Sequence, residues 1–203
     1  MEDRNDLLIF RPADVDLRRS PLRRSVDAPT YVLGAFNPGL TRLPGGNLLL
    51  MIRVAEALSE PALDGHVRSI RWTPHGYVLD RHPLASVNMT DPRQFSLRHG
   101  THRLLALTSI SWLLPVELTP DGRNVVAVHY DRAIEPAASY QEYGIEDARI
   151  SKIEHRYYMT TCSVSAERHC STLHVSDDGL NYVLQGIVLD HQNKDMVLFE
   201  GKV

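Results

Sequence analysis

Residues 143–149, with the sequence YGIEDAR, stand directly before two strand-like runs at 150–153 and 156–161. Successive side chains of an extended chain point to opposite faces. This spacing predicts that Asp147 and Arg149 share one face while Glu146 lies on the other, so that the two carboxylates do not enter one pocket side by side. One acid beside one cation at the mouth of a strand indicates a polar-ligand site, and a surface turn before a hairpin is the alternative.

The composition is that of an ordinary globular protein. The chain has 203 residues, of which 43% are hydrophobic and 23% charged, and its net charge is −3. This charge predicts neither a nucleic-acid partner nor a membrane-surface partner. The apolar run at 48–52 is too short to span a bilayer, and the first residues, MEDRND, have no signal-peptide core. We therefore expect a cytoplasmic protein.

The cysteines and histidines predict no metal site. Cys162 and Cys170 are expected to be reduced core thiols, since no secretory signal is present. The ten histidines do not form the spacings that are typical of zinc sites. We expect no metal and no organic cofactor.

Strand signals dominate the chain. Residues 1–30, with paired arginines and scattered prolines, are interpreted as an extended arm, and residues 31–203 as one β domain. In the latter, short strand-like runs are separated by Gly, Pro, Asn and Asp. Only 54–58 and 137–143 suggest helix, and both are short.

Two internal echoes indicate a repeated β unit. Residues 119–125 (TPDGRNV) match residues 176–182 (SDDGLNY), and Asp-Gly is typical of a tight hairpin turn. In the second echo, a hairpin follows a polar tripeptide in each case, residues 37–39 (NPG) and residues 146–148 (EDA). Repeated all-β units predict propeller blades, and a β-sandwich with similar turns is the alternative.

Five motifs together carry a resemblance to a known family. They are 36–39 (FNPG), 51–56 (MIRVAE), 144–149 (GIEDAR), 157–160 (YYMT) and 193–199 (NKDMVLF). They occur in the same order as in glycoside hydrolase family 130, the β-mannoside phosphorylases and related mannosidases, and the chain resembles this family from about residue 31 to residue 203. The resemblance implies an all-β, five-bladed β-propeller with its site at the central axis.

The length predicts an incomplete propeller. A blade takes about 40–50 residues, so the chain is expected to hold roughly three blades and to correspond to the N-terminal portion of the family domain. We expect either a truncated protein or a subunit that another copy completes as a homo-oligomer. The segment from 66 to 103 is interpreted as an insertion relative to compact members.

The resemblance also implies roles for individual residues. Asp147 matches the proton donor of the family, while Asn37 and Arg53 match residues that hold the mannosyl unit. The alternative for these two is a turn cap at Asn37 and an ion pair of Arg53 with Glu56. Lys194 matches a basic phosphate ligand.

Two neighbours of the proton donor complete the predicted site. Glu146 and Arg149 are assigned to substrate binding, where Arg149 orients Asp147 or Glu146 and Glu146 serves as its partner. Ala148 departs from the proline that the family usually has after the aspartate, which relaxes the backbone there.

The implied reaction is an inverting phosphorolysis of terminal β-mannosyl residues. Inorganic phosphate is the co-substrate and α-mannose 1-phosphate the product. A hydrolase of the same family, a β-mannosidase, is the alternative and needs a second carboxylate as base. An inactive carbohydrate-binding remnant is the alternative from another class.

Overall fold

The described residues fold as an all-β protein, which confirms the all-β part of the predicted fold class. The computed structural model describes residues 7–91, 94–99, 102–191 and 193–201, and these contain short 3₁₀ turns but no α-helix. The strands are β1 (Thr30–Arg42), β2 (Leu48–Leu58), β3 (Ala62–Leu63), β4 (His66–Thr73), β5 (Gly76–Pro83), β6 (Val87–Asp91), β7 (Gln94–His99), β8 (His102–Leu107), β9 (Ser109–Leu118), β10 (Val125–Val128), β11 (Gly144–Ile153), β12 (Arg156–Val164), β13 (His169–Ser176) and β14 (Val183–Leu189). The 3₁₀ turns are Pro12–Asp14, Leu17–Arg19, Pro21–Arg24, Leu84–Ser86, Tyr130–Arg132 and Ser139–Gln141.

The helix expected at 54–58 is wrong. These residues form the end of β2, which pairs with β1 on one side and β9 on the other. Every residue from Val54 to Leu58 is buried. A run that is buried on both faces of a sheet does not alternate, so its periodicity cannot distinguish strand from helix. In the second region, the structure has only the turn Ser139–Gln141.

The main sheet consists of two antiparallel halves. The first half contains β1, β2, β9 and β10, and the second contains β11, β12, β13 and β14. They meet where β11 pairs in parallel with β9, at Gly144 and Ser111. Gly144 has φ of 117°, and a Cβ there would lie 2.5 Å from the backbone N and O of Ser111. Glycine is required at this junction because any side chain would separate the halves.

Residues between β2 and β9 include the segment 66–103, and that this segment is an insertion stays a prediction. Strands β3 to β5 make one three-stranded sheet, and β6 to β8 make another, which is called the inserted sheet below. The main sheet thus has two four-stranded halves, and the count of roughly three blades stays a prediction. The sheet is open, and its described strands do not close into a ring.

The two Asp-Gly turns occupy the same position in both halves, as the echo predicts. One connects β9 to β10, and the other connects β13 to β14. Gly122 and Gly179 have φ of 73° and 80°. In each turn the aspartate accepts a hydrogen bond from an earlier hydroxyl, Thr119 to Asp121 and Ser176 to Asp178. The repeat is therefore structural as well as sequential.

The N-terminal segment packs on the first half instead of extending from it. It forms three of the 3₁₀ turns, and Leu22 and Val26 are buried in the largest apolar cluster. Ser20 and Thr30 donate hydrogen bonds to the buried carboxylate of Glu56, which also accepts one from the Trp112 indole. The domain boundary at residue 30 stays a prediction.

Candidate active site

Two β-bulges face each other where the halves meet. The pairing of β1 with β2 is irregular between Phe36 and Gly39, and that of β11 with β12 between Glu146 and Arg149. Each bulge contains a residue in the left-handed region, Asn37 with φ of 47° and Asp147 with φ of 53°. Asn and Asp are enriched among the few non-glycine residues that adopt this conformation.

The bulge on β11 overturns the predicted separation of the two carboxylates. Arg53 donates one hydrogen bond from Nη2 to Glu146 Oε1 at 2.6 Å and another from Nη1 to Asp147 Oδ1 at 3.1 Å. The prediction that Glu146 and Asp147 lie on opposite faces was wrong because alternation holds only for a regular strand. A bulge adds a residue and re-aims the side chains that follow it.

Arg53 is the centre of the cluster. It lies on β2, and its Nε donates to Ser111 Oγ on β9 at 3.0 Å. Its guanidinium carbon lies 4.9 Å from the centre of the Phe36 ring. The alternative pair of Arg53 with Glu56 is wrong, since Glu56 is bound by other side chains beneath the sheet.

Ser111 was missed from the sequence. It is 2% exposed, and it lies in a strand whose neighbouring residues, 110 and 112–116, are all buried. A polar residue inside such an apolar run is the signal that could have identified it, because a buried hydroxyl requires a partner.

Two further predicted residues bind the same carboxylates. Asn37 Nδ2 donates to Asp147 Oδ1 at 2.9 Å. Lys194 Nζ lies 2.9 Å from Glu146 Oε2 and 3.9 Å from Asp147 Oδ2. The Glu146 and Asp147 side chains are each 7% exposed, whereas that of Lys194 is 41% exposed. Of the predicted site, the structure brings together Asn37, Arg53, Glu146, Asp147 and Lys194.

Two members of the cluster have pKa values that favour their charged forms. Burial by itself raises the pKa of Asp147, but the hydrogen bond from Asn37 and the guanidinium of Arg53 outweigh it, and the pKa lies below its ordinary value. For Lys194, burial by itself lowers the pKa, but Glu146 outweighs it and the net pKa is raised. The carboxylate of Asp147 therefore lies beside the ammonium of Lys194, and a neutral polar ligand meets charges of both signs.

Arg149 does not orient the acids. Its Nη2 donates to Asp195 Oδ1 at 2.6 Å, and its Nη1 to the Ala148 carbonyl at 2.9 Å. Asp195 directly follows Lys194, so Arg149 instead anchors the segment that carries this lysine.

The same segment has two more anchors on the second half of the sheet. The Thr160 hydroxyl donates to the Met196 carbonyl, and the Ser151 hydroxyl donates to the Leu198 carbonyl. These hydrogen bonds hold a segment that is not part of any described strand. The conformation that presents Lys194 is thus fixed from β11 and β12.

A cleft of about 530 Å³ opens beside the cluster. Its charged end contains Arg53, Glu146 and Lys194, while Asn37 lines a separate cavity of about 300 Å³ together with Arg149. The remaining lining residues of the larger cleft come from β1, β2, the sheet of β6 to β8, the start of β9, and the ends of β12 and β13 with the turn between them. They are Leu33, Phe36, Ala55, Gln94, Leu107, Ser109, Val164, Ser165, Glu167, Arg168 and His169.

The thiol of Cys162 lies close to the cluster. Cys162 pairs in register with Glu146, and burial raises the pKa of its thiol to about 12. Cys162 and Cys170 are both free and buried.

Within the described part of the chain, no group of three or more His, Cys, Asp or Glu side chains is arranged to hold a metal. The same residues include no helix that is long and apolar enough to cross a membrane.

Comparisons with known proteins agree with the motifs. No family model matches the chain. A β-1,2-mannobiose phosphorylase from Listeria innocua is 28% identical over 185 residues, which cover 85% of this chain and 48% of that protein. The solved complex of the Listeria innocua β-1,2-mannobiose phosphorylase with β-1,2-mannobiose has a TM-score of 0.77 at 25% identity and covers 95% of this chain and 52% of that one.

A third similarity is weaker. A putative glycoside hydrolase from Parabacteroides distasonis has a TM-score of 0.49 at 16% identity, which is too low to support an argument. The chain spans about half the length of the curated relative that it matches. The Listeria matches confirm the resemblance stated from the motifs.

Proposed function

We propose, from this similarity to the β-mannoside phosphorylases of glycoside hydrolase family 130, that the chain contributes the acid and the mannosyl subsite of such a phosphorylase. Phosphate attacks the anomeric carbon of a terminal β-mannosyl residue with inversion. The new bond joins a phosphate oxygen to that carbon, and the bond to the glycosidic oxygen breaks. The products are α-mannose 1-phosphate and a sugar shortened by one unit, and the scheme needs no metal or organic cofactor.

The convergence of three residues on the pair Glu146 and Asp147 carries this proposal. Asn37 and Arg53 come from the first half of the sheet, and Lys194 comes from the chain beyond the second. They are far apart in sequence but meet at the two bulges. In this proposal the halves are neighbouring propeller blades, and β1 and β11 are the innermost strands beside the axis.

Asp147 is proposed as the proton donor, and its surroundings explain how it gains a proton. In the free chain, Asn37 and Arg53 bind its carboxylate and lower its pKa. Both also have amide or guanidinium N–H groups, which can donate hydrogen bonds to the hydroxyl oxygens of a mannosyl unit. When the sugar takes these donors, the burial of Asp147 dominates and its pKa rises, as a general acid requires. Its proton then passes to the glycosidic oxygen, and solvent restores it.

The contacts of Glu146 support phosphorolysis over hydrolysis. A hydrolase of the inverting type needs a second carboxylate that accepts a proton from water. Glu146 Oε1 is bound by Arg53 and Oε2 by Lys194, so both oxygens are occupied by cations. Lys194, at 41% exposure, is free on its other side to bind a phosphate oxygen.

The first experiment incubates the 203-residue chain with β-1,2- and β-1,4-mannobiose, with and without phosphate. Mannose 1-phosphate and free mannose are quantified. We expect mannose 1-phosphate to form only with phosphate. Free mannose at the same rate without phosphate would select the hydrolase, and no product in any tube would favour the carbohydrate-binding remnant.

Two substitutions test the proposed roles, each with a matched control. Asp147→Asn should lower kcat by at least about a hundredfold, as loss of an acid does, while the affinity for mannobiose is retained. Asp177→Asn, at an exposed ion pair with Arg156, should keep full activity. Equal activity of the wild type and Asp147→Asn would remove Asp147 from the mechanism.

The phosphate site is tested in the same way. Lys194→Met should raise the KM for phosphate much more than that for mannobiose. Lys152→Met is the control, because Lys152 is exposed on β11 and its ammonium lies over the Tyr157 ring, 5.0 Å from its centre. A Lys194→Met enzyme with an unchanged KM for phosphate would contradict this assignment.

A further inference from the structure

The aromatic ring of Phe36 lies beside the proposed catalytic cluster without a role in it. Phe36 is 38% exposed and lines the cleft of about 530 Å³. The Arg53 guanidinium lies over the ring, 4.9 Å from its centre. Exposure of a large aromatic side chain has a cost, so a ring that stays partly open in a cleft indicates a ligand contact.

Gly34 makes the space in which the ring lies. A Cβ at Gly34 would be 2.2 Å from Cε1 and 2.5 Å from Cδ1 of Phe36. Gly34 and Phe36 are two positions apart on β1, so their side-chain directions fall on the same face. The ring therefore extends back along the strand over Gly34 instead of standing away from it, and no other residue type leaves this space open.

The cleft is lined by apolar and amide side chains as well as by the charged cluster. Leu33, next to Gly34, is 50% exposed and lines the same cleft. Gln94 and Leu107 of the inserted sheet lie in its wall. The cleft that Phe36 lines thus combines apolar and amide side chains with charged ones, among them Glu167 and Arg168. Such a combination suits a pyranose ring, which has an apolar C–H face and a rim of hydroxyls.

We propose that Phe36, positioned by Gly34, is a stacking platform for the sugar that leaves during phosphorolysis, and that it determines the affinity for this sugar. The inference rests on the proposed function and adds the second sugar subsite to it. The mannosyl unit is held at the charged end, and the leaving sugar extends over Phe36 towards the inserted sheet. The inserted sheet then limits the size of the sugar that can leave.

The test uses the synthetic direction, with α-mannose 1-phosphate and mannose as the acceptor. Phe36→Ala should raise the KM for the acceptor about tenfold, the factor that corresponds to one aromatic contact. The KM for phosphate in phosphorolysis should change less than about twofold. Phe36→Tyr should restore the acceptor KM. Tyr31→Ala is the control, since Tyr31 is 44% exposed on the same strand but does not line the cleft.

Gly34→Ala gives an independent test that keeps the aromatic ring. The new methyl group displaces the ring, so the acceptor KM should rise as in Phe36→Ala. This variant remains informative if Phe36→Ala fails to fold. An unchanged acceptor KM in either folded variant would overturn the proposal. So would a fall in kcat with no change in acceptor KM, because that result assigns Phe36 to the support of Arg53.

Direct binding separates this inference from the proposed function. Mannose and β-1,2-mannobiose are titrated calorimetrically into the wild type, Phe36→Ala and Tyr31→Ala. Binding that is lost only in Phe36→Ala supports the platform even if the wild type forms no mannose 1-phosphate, a result that would refute the phosphorylase alone. Equal binding by all three, or no binding by the wild type, overturns the platform.

Discussion

Replacing Arg53 with methionine should destabilise the protein strongly, because it leaves two buried carboxylates without their main cation. The side chains of Glu146 and Asp147 are 7% exposed and that of Arg53 is 15% exposed. Removing one partner of such a pair costs about 3–5 kcal/mol in the free energy of unfolding. Lys194 still lies 2.9 Å from Glu146 but 3.9 Å from Asp147. We therefore expect the lower value, about 3 kcal/mol, and a fall in Tm of roughly 6–12 °C.

The destabilisation should depend on pH. The pKa of Asp147 is lowered in the folded protein, so its ionisation stabilises the fold above the ordinary carboxyl pKa, and this stability is lost as the pH falls through the folded pKa. In Arg53→Met this lowering is reduced. The deficit relative to the wild type should be full at pH 7 and should shrink below about pH 4, as the pH falls through the lowered pKa of Asp147.

Urea unfolding, followed by the fluorescence of the buried Trp112, measures this deficit from pH 7 to about pH 3, below the ordinary carboxyl pKa. Arg156→Met is the control, since the side chains of its pair with Asp177 are 49% and 76% exposed. It should leave the unfolding curve nearly unchanged. An equal loss in both variants, or a deficit that stays constant across the pH range, would refute the account of Arg53 as the central cation.

Two further predictions concern the packing around the cluster. Gly39→Ala should lower kcat, because its Cβ would lie 2.9 Å from the Ala148 carbonyl oxygen and would push the two bulges apart. Gly45→Ala is the control and should be neutral, because a Cβ there meets nothing within 4 Å. Equal kinetics of both variants would contradict the close approach of Gly39 to Ala148. The thiol of Cys162, whose pKa burial raises to about 12, should react with a thiol reagent only after unfolding. Rapid modification of the native chain, measured against the chain in denaturant, would show that the thiol is accessible.

The all-β class and the repeat could be predicted because they depend on local signals. The Asp-Gly turns mark the same connection in both halves, and the polar tripeptides at 37–39 and 146–148 mark the two bulges. The length could not indicate which residues belong to the main sheet, since the sequence does not show that strands β3 to β8 form two separate sheets. The hydrophobic periodicity also failed to identify the strand at 54–58, because burial on both sides of β2 removes the alternation of apolar and polar residues.

The sequence predicted which residues belong to the cluster better than it predicted how they are arranged. Asn37, Arg53 and Lys194 each belong to one of the five motifs, and they meet in the structure. The direction of the Asp147 side chain, however, depends on one backbone dihedral, φ of 53°. A sequence can indicate that an aspartate tolerates this conformation, but only the pairing of β11 with β12 shows that it is adopted. The contact of Ser111 with Arg53 likewise depends on the pairing of β9 with β2.

The two bulges explain why one cluster draws on both halves of the sheet. In each half, the first strand carries a polar residue in the left-handed conformation. This residue is Asn37 in the first half and Asp147 in the second. Because the same irregularity occurs on β1 and on β11, the amide of one half donates to the acid of the other at 2.9 Å. Gly39 permits this approach, since it packs against the buried Ala148. A proline at 148 would restrain the backbone of Asp147 directly, whereas in this chain the restraint comes from its contact with β1. The acid of the second half is thus held in place by the first, and the site depends on the junction between the halves.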